Sequence, residues 1–250
     1  MKVLVWNVRG LNHPCKQKEV ASRVSRLNVD MVCLLETRVK EQKMQNIVDK
    51  WFLGWRVFQN YAYALNGRIW MLWKTNLQIS LIAMTEQSIT TSIQYDASQF
   101  YFTAVYGCND GGDRKRLWSH LTSLCSSVIM DDSWMLAGDF NITVHPSESS
   151  NYSESQGISM DMREFINARD QISVIDHVST GPFFTWSNKH HEGFLARKLD
   201  RVLINGNWLS KFPHSIVEFL APEVSNHCPT FIMMHQDIAF PHKPFKFFNF

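Results

Sequence analysis

Lys2-Val3-Leu4-Val5-Trp6-Asn7-Val8, then residues 16–28, then Asp30-Met31-Val32-Cys33-Leu34-Leu35 form the stretch whose reading decides the fold class. The first segment is apolar and β-branched, the signature of a strand. The second carries Val20, Ala21, Val24 and Leu27 at helical spacing. The third is a continuous apolar run, as expected of a strand covered on both faces, and residues 40–52 return to a helix-like pattern. Strand, helix, strand, helix is the opening of an α/β protein.

Working outward, residues 55–60, 68–74, 77–84, 89–95 and 99–106 are short β-type runs separated by Asn-Gly and polar turns, which suggests antiparallel strands. Residues 113–128 carry an apolar stripe of Leu117, Trp118, Leu121, Leu124, Cys125 and Val128, with Asp113 as the cap of the expected helix. Residues 133–137 begin another strand, 147–159 read as a loop, and 160–169 as a helix. Residues 183–186, 199–204, 216–220 and 230–234 read as strands. Helices alternating with hairpin-like stretches predict one α/β domain, with two mixed sheets packed face to face and helices outside.

The 250 residues are 45% hydrophobic, 13% aromatic and 19% charged, with 11 Gly and 8 Pro, which excludes disordered, collagen-like and linker-like chains. Lys and Arg number 25 against 23 Asp and Glu, for a formal charge of +2. The pI near 8.3 permits a nucleic-acid partner but falls well short of a dedicated basic binding domain. No apolar run approaches the roughly 18 to 20 residues that cross a bilayer, and the N-terminal residues lack a signal peptide's length and cleavage site. The expectation is an intracellular protein with no membrane partner. Cys15, Cys33, Cys108, Cys125 and Cys228 contain no CxxC pair and read as reduced, mostly buried thiols. Trp6, Trp70, Trp73, Trp134 and Trp186 lie in β-patterned runs, which favours core packing over base stacking.

Polar residues stand where the apolar strands end: Asn7, Glu36, Tyr106, and Asp139 with Asn141. Any one of them is an ordinary turn former. Together they offer the carboxylate and amide oxygens that a hard cation such as Mg²⁺ takes. Asp200, opening a late strand, and His227, before the last one, suggest an imidazole whose orientation and charge are set by a carboxylate.

The chain resembles the endonuclease/exonuclease/phosphatase superfamily, and within it the endonuclease domain of plant LINE-type (non-LTR) retrotransposons. The resemblance is carried by Trp6-Asn7-Val8-Arg9-Gly10-Leu11, Leu35-Glu36-Thr37-Arg38, Val105-Tyr106-Gly107, Gly138-Asp139-Phe140-Asn141, Phe184-Thr185-Trp186-Ser187-Asn188, Leu199-Asp200-Arg201 and Ser225-Asn226-His227-Cys228-Pro229. It implies a four-layer α/β/β/α sandwich of DNase I-like type over residues 1–238. Residues 239–250 resemble the start of a linker towards a reverse transcriptase. It implies Glu36 and Asn7 as Mg²⁺ ligands, with Mn²⁺ a substitute, and Asp139 with Asn141 handling the attacking water. Tyr106 would bind the scissile phosphate, and His227, oriented by Asp200, would stabilise the charge of the transition state.

One position departs from the pattern. The family usually has Ser-Asp-His where this chain has Ser225-Asn226-His227, so a carboxylate ligand becomes an amide of the same shape. The implied activity is single-strand nicking of DNA that leaves a 3′-hydroxyl. The alternatives are a weakened or silent nucleic-acid-binding remnant, and a relative acting on abasic sites or small phosphoesters. Arg9, Arg38, Arg114, Lys115, Arg116 and Lys189 are the candidate DNA contacts, with Lys16, Lys18, Lys40 and the neighbouring His190 and His191 beside them. A DNA substrate implies the nucleus, and no obligate protein partner is evident.

Overall fold

Strand β1 (Lys2–Asn7) shows why its run is apolar throughout: Val3 and Val5 point into the core between the sheets, while Leu4 and Trp6 pack outward against helices. The structure, a computed structural model, describes residues 1–153, 155 and 157–234. The expected tail, 239–250, lies outside the described residues.

After β1 the chain forms α1 (Pro14–Leu27), β2 (Met31–Leu35), α2 (Glu41–Trp51), β3 (Arg56–Gln59), β4 (Ile69–Trp73), β5 (Gln78–Met84), β6 (Ser88–Tyr95) and β7 (Ser98–Tyr106). It continues through α3 (Gly111–Leu124), β8 (Trp134–Asp139), α4 (Met160–Gln171), β9 (Val174–Asp176), β10 (Ser179–Thr180), β11 (Trp186–Ser187) and β12 (Ala196–Arg197). It closes with β13 (Asp200–Asn205), α5 (Gly206–Lys211), β14 (Ile216–Phe219) and β15 (Thr230–Met233). The first sheet has the order β10-β14-β15-β1-β2-β4-β3, the second β5-β6-β7-β8-β13-β9, and β11 and β12 form a small separate hairpin.

Both large sheets are mixed. The apolar face of each meets the other in one cluster, with Val5, Cys33 and Met71 from the first and Phe102, Ala104 and Met135 from the second. The outer face of the first sheet packs Trp6, Leu34 and Trp70 with Val20 and Val24 of α1 and Met44 and Ile47 of α2. The outer face of the second packs Trp134 and Leu136 with Leu117 and Trp118 of α3 and Phe165 of α4. The expected four layers, helices, sheet, sheet, helices, are present.

Two local expectations are corrected. Helix α3 begins at Gly111, and its cap is Asp110, whose carboxylate accepts the Asp113 N–H at 3.1 Å, rather than Asp113. Asp113 instead sits in the first turn, where the helix dipole favours a carboxylate. Residues 183–186 are not a strand: Pro182 lacks an N–H, and Gly181 has φ +96 with Phe219 O where a Cβ would stand, so pairing begins only at Trp186. Five cysteines are free thiols, with Cys33, Cys108 and Cys228 buried. No helix among the described residues is long and apolar enough to cross a membrane.

Candidate active site

Register brings the polar strand ends together. In the second sheet Tyr106 on β7 and Asp200 on β13 both stand opposite Asp139 on β8, one on either side. In the first sheet Asn7 at the end of β1 stands opposite Leu35, so Glu36 follows at the same edge. Asn7 Nδ2 donates to Asp139 Oδ2 at 2.8 Å, a direct link between the sheets.

Asp139 is buried and its carboxylate is held on both oxygens, since Asn141 N donates to Oδ1 at 2.9 Å. His227 is also buried, with Nδ1 2.9 Å from Asp200 Oδ2 and Nε2 3.7 Å from Asp139 Oδ2. Burial alone would lower the His227 pKa, but the Asp200 and Asp139 carboxylates outweigh it and push it up to about 9. Burial, reinforced by Asp200, pushes Asp139 above the usual carboxylate range against the opposing pull of His227. The imidazole is therefore a cation at neutral pH, lying between two carboxylates. Tyr106 is pushed up by burial and by the charges of Glu36 and Asp139, so its phenol keeps its proton.

The other side of the site is built from two loops laced by Gly10 N to Glu36 O and Leu11 N to Thr37 O, each 2.7 Å. Arg9, Glu36 and Arg38 all take left-handed backbone conformations, with φ of +46, +53 and +53. Side-chain sterics disfavour that region, and the lacing holds it in place. The Glu36 carboxylate is ion-paired with the Arg38 guanidinium. Asn226 is 7% exposed, and neither its Oδ1 nor its Nδ2 has a hydrogen-bond partner among the described residues.

Burying an unpaired amide costs about 1–3 kcal/mol per group, so this side chain points to a ligand. Oxygens from Glu36, Asn7 and Asn226 suit a hard cation, and on this donor set the site fits Mg²⁺ or Mn²⁺. Asp139, Asp200 and His227 also place one ligand atom each within 4.8 Å of one another. Their mutual hydrogen bonds already engage those atoms, so the cluster is better suited to holding a proton than a metal.

A second group of residues holds these side chains, and sequence reasoning passed over its roles. Thr185 is fully buried, and its Oγ1 accepts both Leu199 N at 3.0 Å and Asp200 N at 2.8 Å. Its carbonyl accepts Cys228 N at 2.7 Å, so one residue ties the start of β13 to the His227 loop. Ser225 Oγ donates to Asn7 O at 2.6 Å, and Trp6 Nε1 donates to His227 O at 3.1 Å. The signal was a hydroxyl inside an apolar motif, Phe184-Thr185-Trp186. Cys228 beside them is inert: burial pushes its thiol up to about 12.

The sequence signature of the Endonuclease/Exonuclease/phosphatase family matches residues 4–227, nearly the whole chain. This chain belongs to the endonuclease/exonuclease/phosphatase family. Solved structures share its fold at low identity. The endonuclease domain of TRAS1, a telomere-specific non-LTR retrotransposon, superposes with a TM-score of 0.72 at 13% identity, covering 94% of this chain and 99% of that one. The AP endonuclease LMAP from Leishmania major gives 0.68 at 15%, covering 94% and 88%. TDP2 of D. rerio, complexed with a single-strand DNA product, gives 0.64 at 14%, covering 93% and 97%.

The surface of this endonuclease/exonuclease/phosphatase domain sorts the candidate cations. Arg9, Arg38 and Lys189 all act by charge on Lys16, whose pKa is lowered by burial and by those three cations despite Glu36 nearby. They form a basic rim around Glu36. Arg114 is not part of any such rim: it is 3% exposed, donating to Cys108 O and Asn109 O and pairing with Asp161 at 2.9 Å. Lys115 is engaged by Glu164, and Arg116 by Glu86 and Asp113. The three-residue basic run on α3 therefore serves helix packing and surface ion pairs. A cleft of about 720 Å³ opens from Glu36 and Tyr106 and is lined further by Arg38 and Arg68.

Proposed function

We propose that this protein is a divalent-metal-dependent endonuclease that hydrolyses one phosphodiester bond of a DNA strand and leaves a 3′-hydroxyl. One observation carries the reading. The Asp139 carboxylate is fixed by Asn7 and Asn141, with a protonated His227 held by Asp200 on one side and the Tyr106 phenol in the next strand. Phosphodiester hydrolysis needs a base for water, donors for the non-bridging oxygens and charge to offset the leaving oxygen, and these residues supply the first two.

Asp139, raised above the ordinary carboxylate range, takes the proton of the attacking water. His227 and Tyr106 donate to the phosphate oxygens as negative charge accumulates there. Asp200 keeps Nδ1 engaged, so that the proton left for a phosphate oxygen is the one on Nε2, 3.7 Å from Asp139 Oδ2. A divalent cation bound by Glu36, Asn7 and Asn226 would neutralise the phosphate and the departing 3′-oxygen.

The sequence motifs favour the retrotransposon branch, and a DNA substrate places the activity in the nucleus. The domain boundary follows the same reading, with residues 1–238 as the nuclease. A second reading, a silent DNA-binding remnant, is favoured by one observation: the neutral, unpartnered amide of Asn226. Supercoiled plasmid with Mg²⁺ tests both. Nicking that disappears with EDTA and with Glu36→Ala establishes the nuclease. Binding without nicking, unchanged by Asn226→Asp, establishes the remnant.

A further inference from the structure

The turn between β5 and β6 carries a glutamine that is 1% exposed, with both ends of its side-chain amide engaged. Gln87 Oε1 accepts Cys108 N at 2.7 Å, and Nε2 donates to Asp113 O in the first turn of α3 at 3.0 Å. Its backbone takes part as well. Gln87 O accepts Tyr106 N at 2.9 Å, one step beyond Ser88 with Val105, the last paired positions of β6 and β7 at that end. The turn is itself anchored: Thr85 Oγ1 accepts Gln87 N at 3.1 Å and Ser88 N at 3.0 Å. Asn60, buried just after β3, donates to Thr85 O at 3.0 Å and to Glu86 O at 3.1 Å.

The chain leaves β7 through Tyr106, Gly107 and Cys108, and each of their N–H groups is taken. Gln87 accepts the first and the third. Gly107 N donates to Asp139 O at 2.8 Å, and Gly107 O accepts Asn141 Nδ2 at 2.7 Å. The segment is thus stitched to Asp139 and Asn141 on one side and to Gln87 on the other. A Cβ on Gly107 would stand 2.6 Å from Phe140 O, so the segment has no slack towards β8. The Tyr106 hydroxyl, by contrast, has no hydrogen-bond partner among the described residues. Its ring packs at the rim of the core between the sheets, with the Arg68 guanidinium 5.9 Å from the ring centre. The direction of the phenol is set by packing and by the backbone beneath it, and Gln87 holds that backbone.

We infer that Gln87 is a positioning residue for Tyr106: by bonding the backbone on both sides of Gly107, it fixes the direction from which the phenol reaches a phosphate oxygen beside Asp139. The inference rests on the role given to Tyr106 in the proposed function and deepens it by naming what sets the aim of that donor. Position matters at this scale, since displacing a reacting group by about 1 Å can cost about 10²-fold in rate. A buried amide bonded at both ends resists displacement, because either end left unpaired is out of reach of water. An apolar side chain of the same length would fill the same space and hold neither Cys108 N nor Asp113 O.

The test is a double-mutant cycle on nicking of a duplex, with kcat and KM measured separately. Gln87→Met keeps the length and loses both polar ends, and it is expected to lower kcat about tenfold or more with KM unchanged. Gln87→Glu keeps an acceptor for Cys108 N and is expected to recover most of that loss; a glutamate as slow as the methionine overturns the assignment of the hold to this bond. In a Tyr106→Phe background Gln87→Met is expected to cost about twofold or less, because the donor it aims is gone. Equal loss in both backgrounds overturns the inference and makes Gln87 a general support of the fold. Gln87→Asn, an amide one methylene shorter, is run through the same cycle, so that the answer survives if the methionine variant does not fold. A second readout needs no turnover. In protein labelled with fluorotyrosine, the Tyr106 fluorine resonance is identified by its absence from Tyr106→Phe. Gln87→Met is expected to shift that resonance and leave those of the other tyrosines in place, and an unmoved Tyr106 resonance overturns the inference while the nuclease stands. A wild type that does not nick with Mg²⁺ or Mn²⁺ overturns the nuclease, and the fluorine spectrum then decides alone whether Gln87 holds Tyr106.

Discussion

The group of side chains around Asp139 and the group around Glu36 differ in how complete they are. Asp139, Asp200 and His227 spend their polar atoms on one another, on Asn7 and on Asn141. In the other group Glu36 leans on its own neighbour Arg38, and Asn226, next in sequence to His227, is buried with both amide atoms unspent. One group is fully hydrogen-bonded within itself, and the other keeps polar atoms unspent. Preorganised dipoles lower a barrier without paying reorganisation at the moment of reaction, so the proposed function assigns chemistry to the complete group and recognition of a cation to the other.

The largest expected effect comes from breaking the complete group. Asp139→Ala removes the base and leaves Asn7 Nδ2 and His227 facing an empty position. Single-turnover nicking should fall by about 10³-fold or more, with little change in DNA affinity measured in EDTA. A loss smaller than tenfold would remove Asp139 from the chemistry.

Glu36→Gln acts on the incomplete group. It should lower nicking by about 10²-fold at low Mg²⁺, with partial recovery at high Mg²⁺, and weaken Mn²⁺ binding seen by electron paramagnetic resonance. Metal binding unaltered in that variant would move the cation elsewhere. Next is the clamp between strands. Thr185→Val keeps the shape and strands two buried N–H groups, at about 1–3 kcal/mol each. It should lower the melting temperature and slow nicking about tenfold or more, with Thr185→Ser restoring both; equal loss in the serine variant would mean that methyl packing, not the hydroxyl, matters.

Asn226→Asp adds a charge where the amide is unspent. A charge-assisted contact contributes about 1.5–3 kcal/mol, so Mg²⁺ affinity and nicking should rise about tenfold. A variant that binds metal no better would show that the amide is not directed at the cation. The smallest effect is on stability against pH in EDTA. His227 holds its proton in the fold up to about 9, above the ordinary histidine value. Its contribution is complete below about pH 6.5 and is lost as pH rises through about 9, and Asp139, shifted the same way, acts in the same direction lower in the range. Unfolding midpoints should fall over that interval, and Asp200→Asn should flatten the curve.

Legibility followed the same division. Strand ends carrying Asn7, Glu36, Tyr106 and Asp139 could be read because an apolar run that stops on a polar residue is a local signal. Two mixed sheets with helices outside followed from helical runs alternating with hairpin-like ones, and the family resemblance implied the four-layer order. Arg114 could not be read, since what buries it is Asp161, 47 positions away on another helix. The cap of α3 was misplaced by three residues because Asp110 and Asp113 are equally good capping types. Nothing in the order of residues marks the amide of Asn226 as unpartnered, because that is a statement about neighbours.

Asn7 donates across the gap between the sheets to reach Asp139. The reacting geometry therefore does not reside in either half of the sandwich, and a partly opened chain in which each sheet persists but the two no longer dock has no competent centre at all. Under the proposed function, nicking and cooperative melting become one event. In urea, nicking should vanish in step with the near-ultraviolet signal of the buried tryptophans rather than ahead of it, so that the rate of cutting serves as a gauge of how tightly the two sheets are docked.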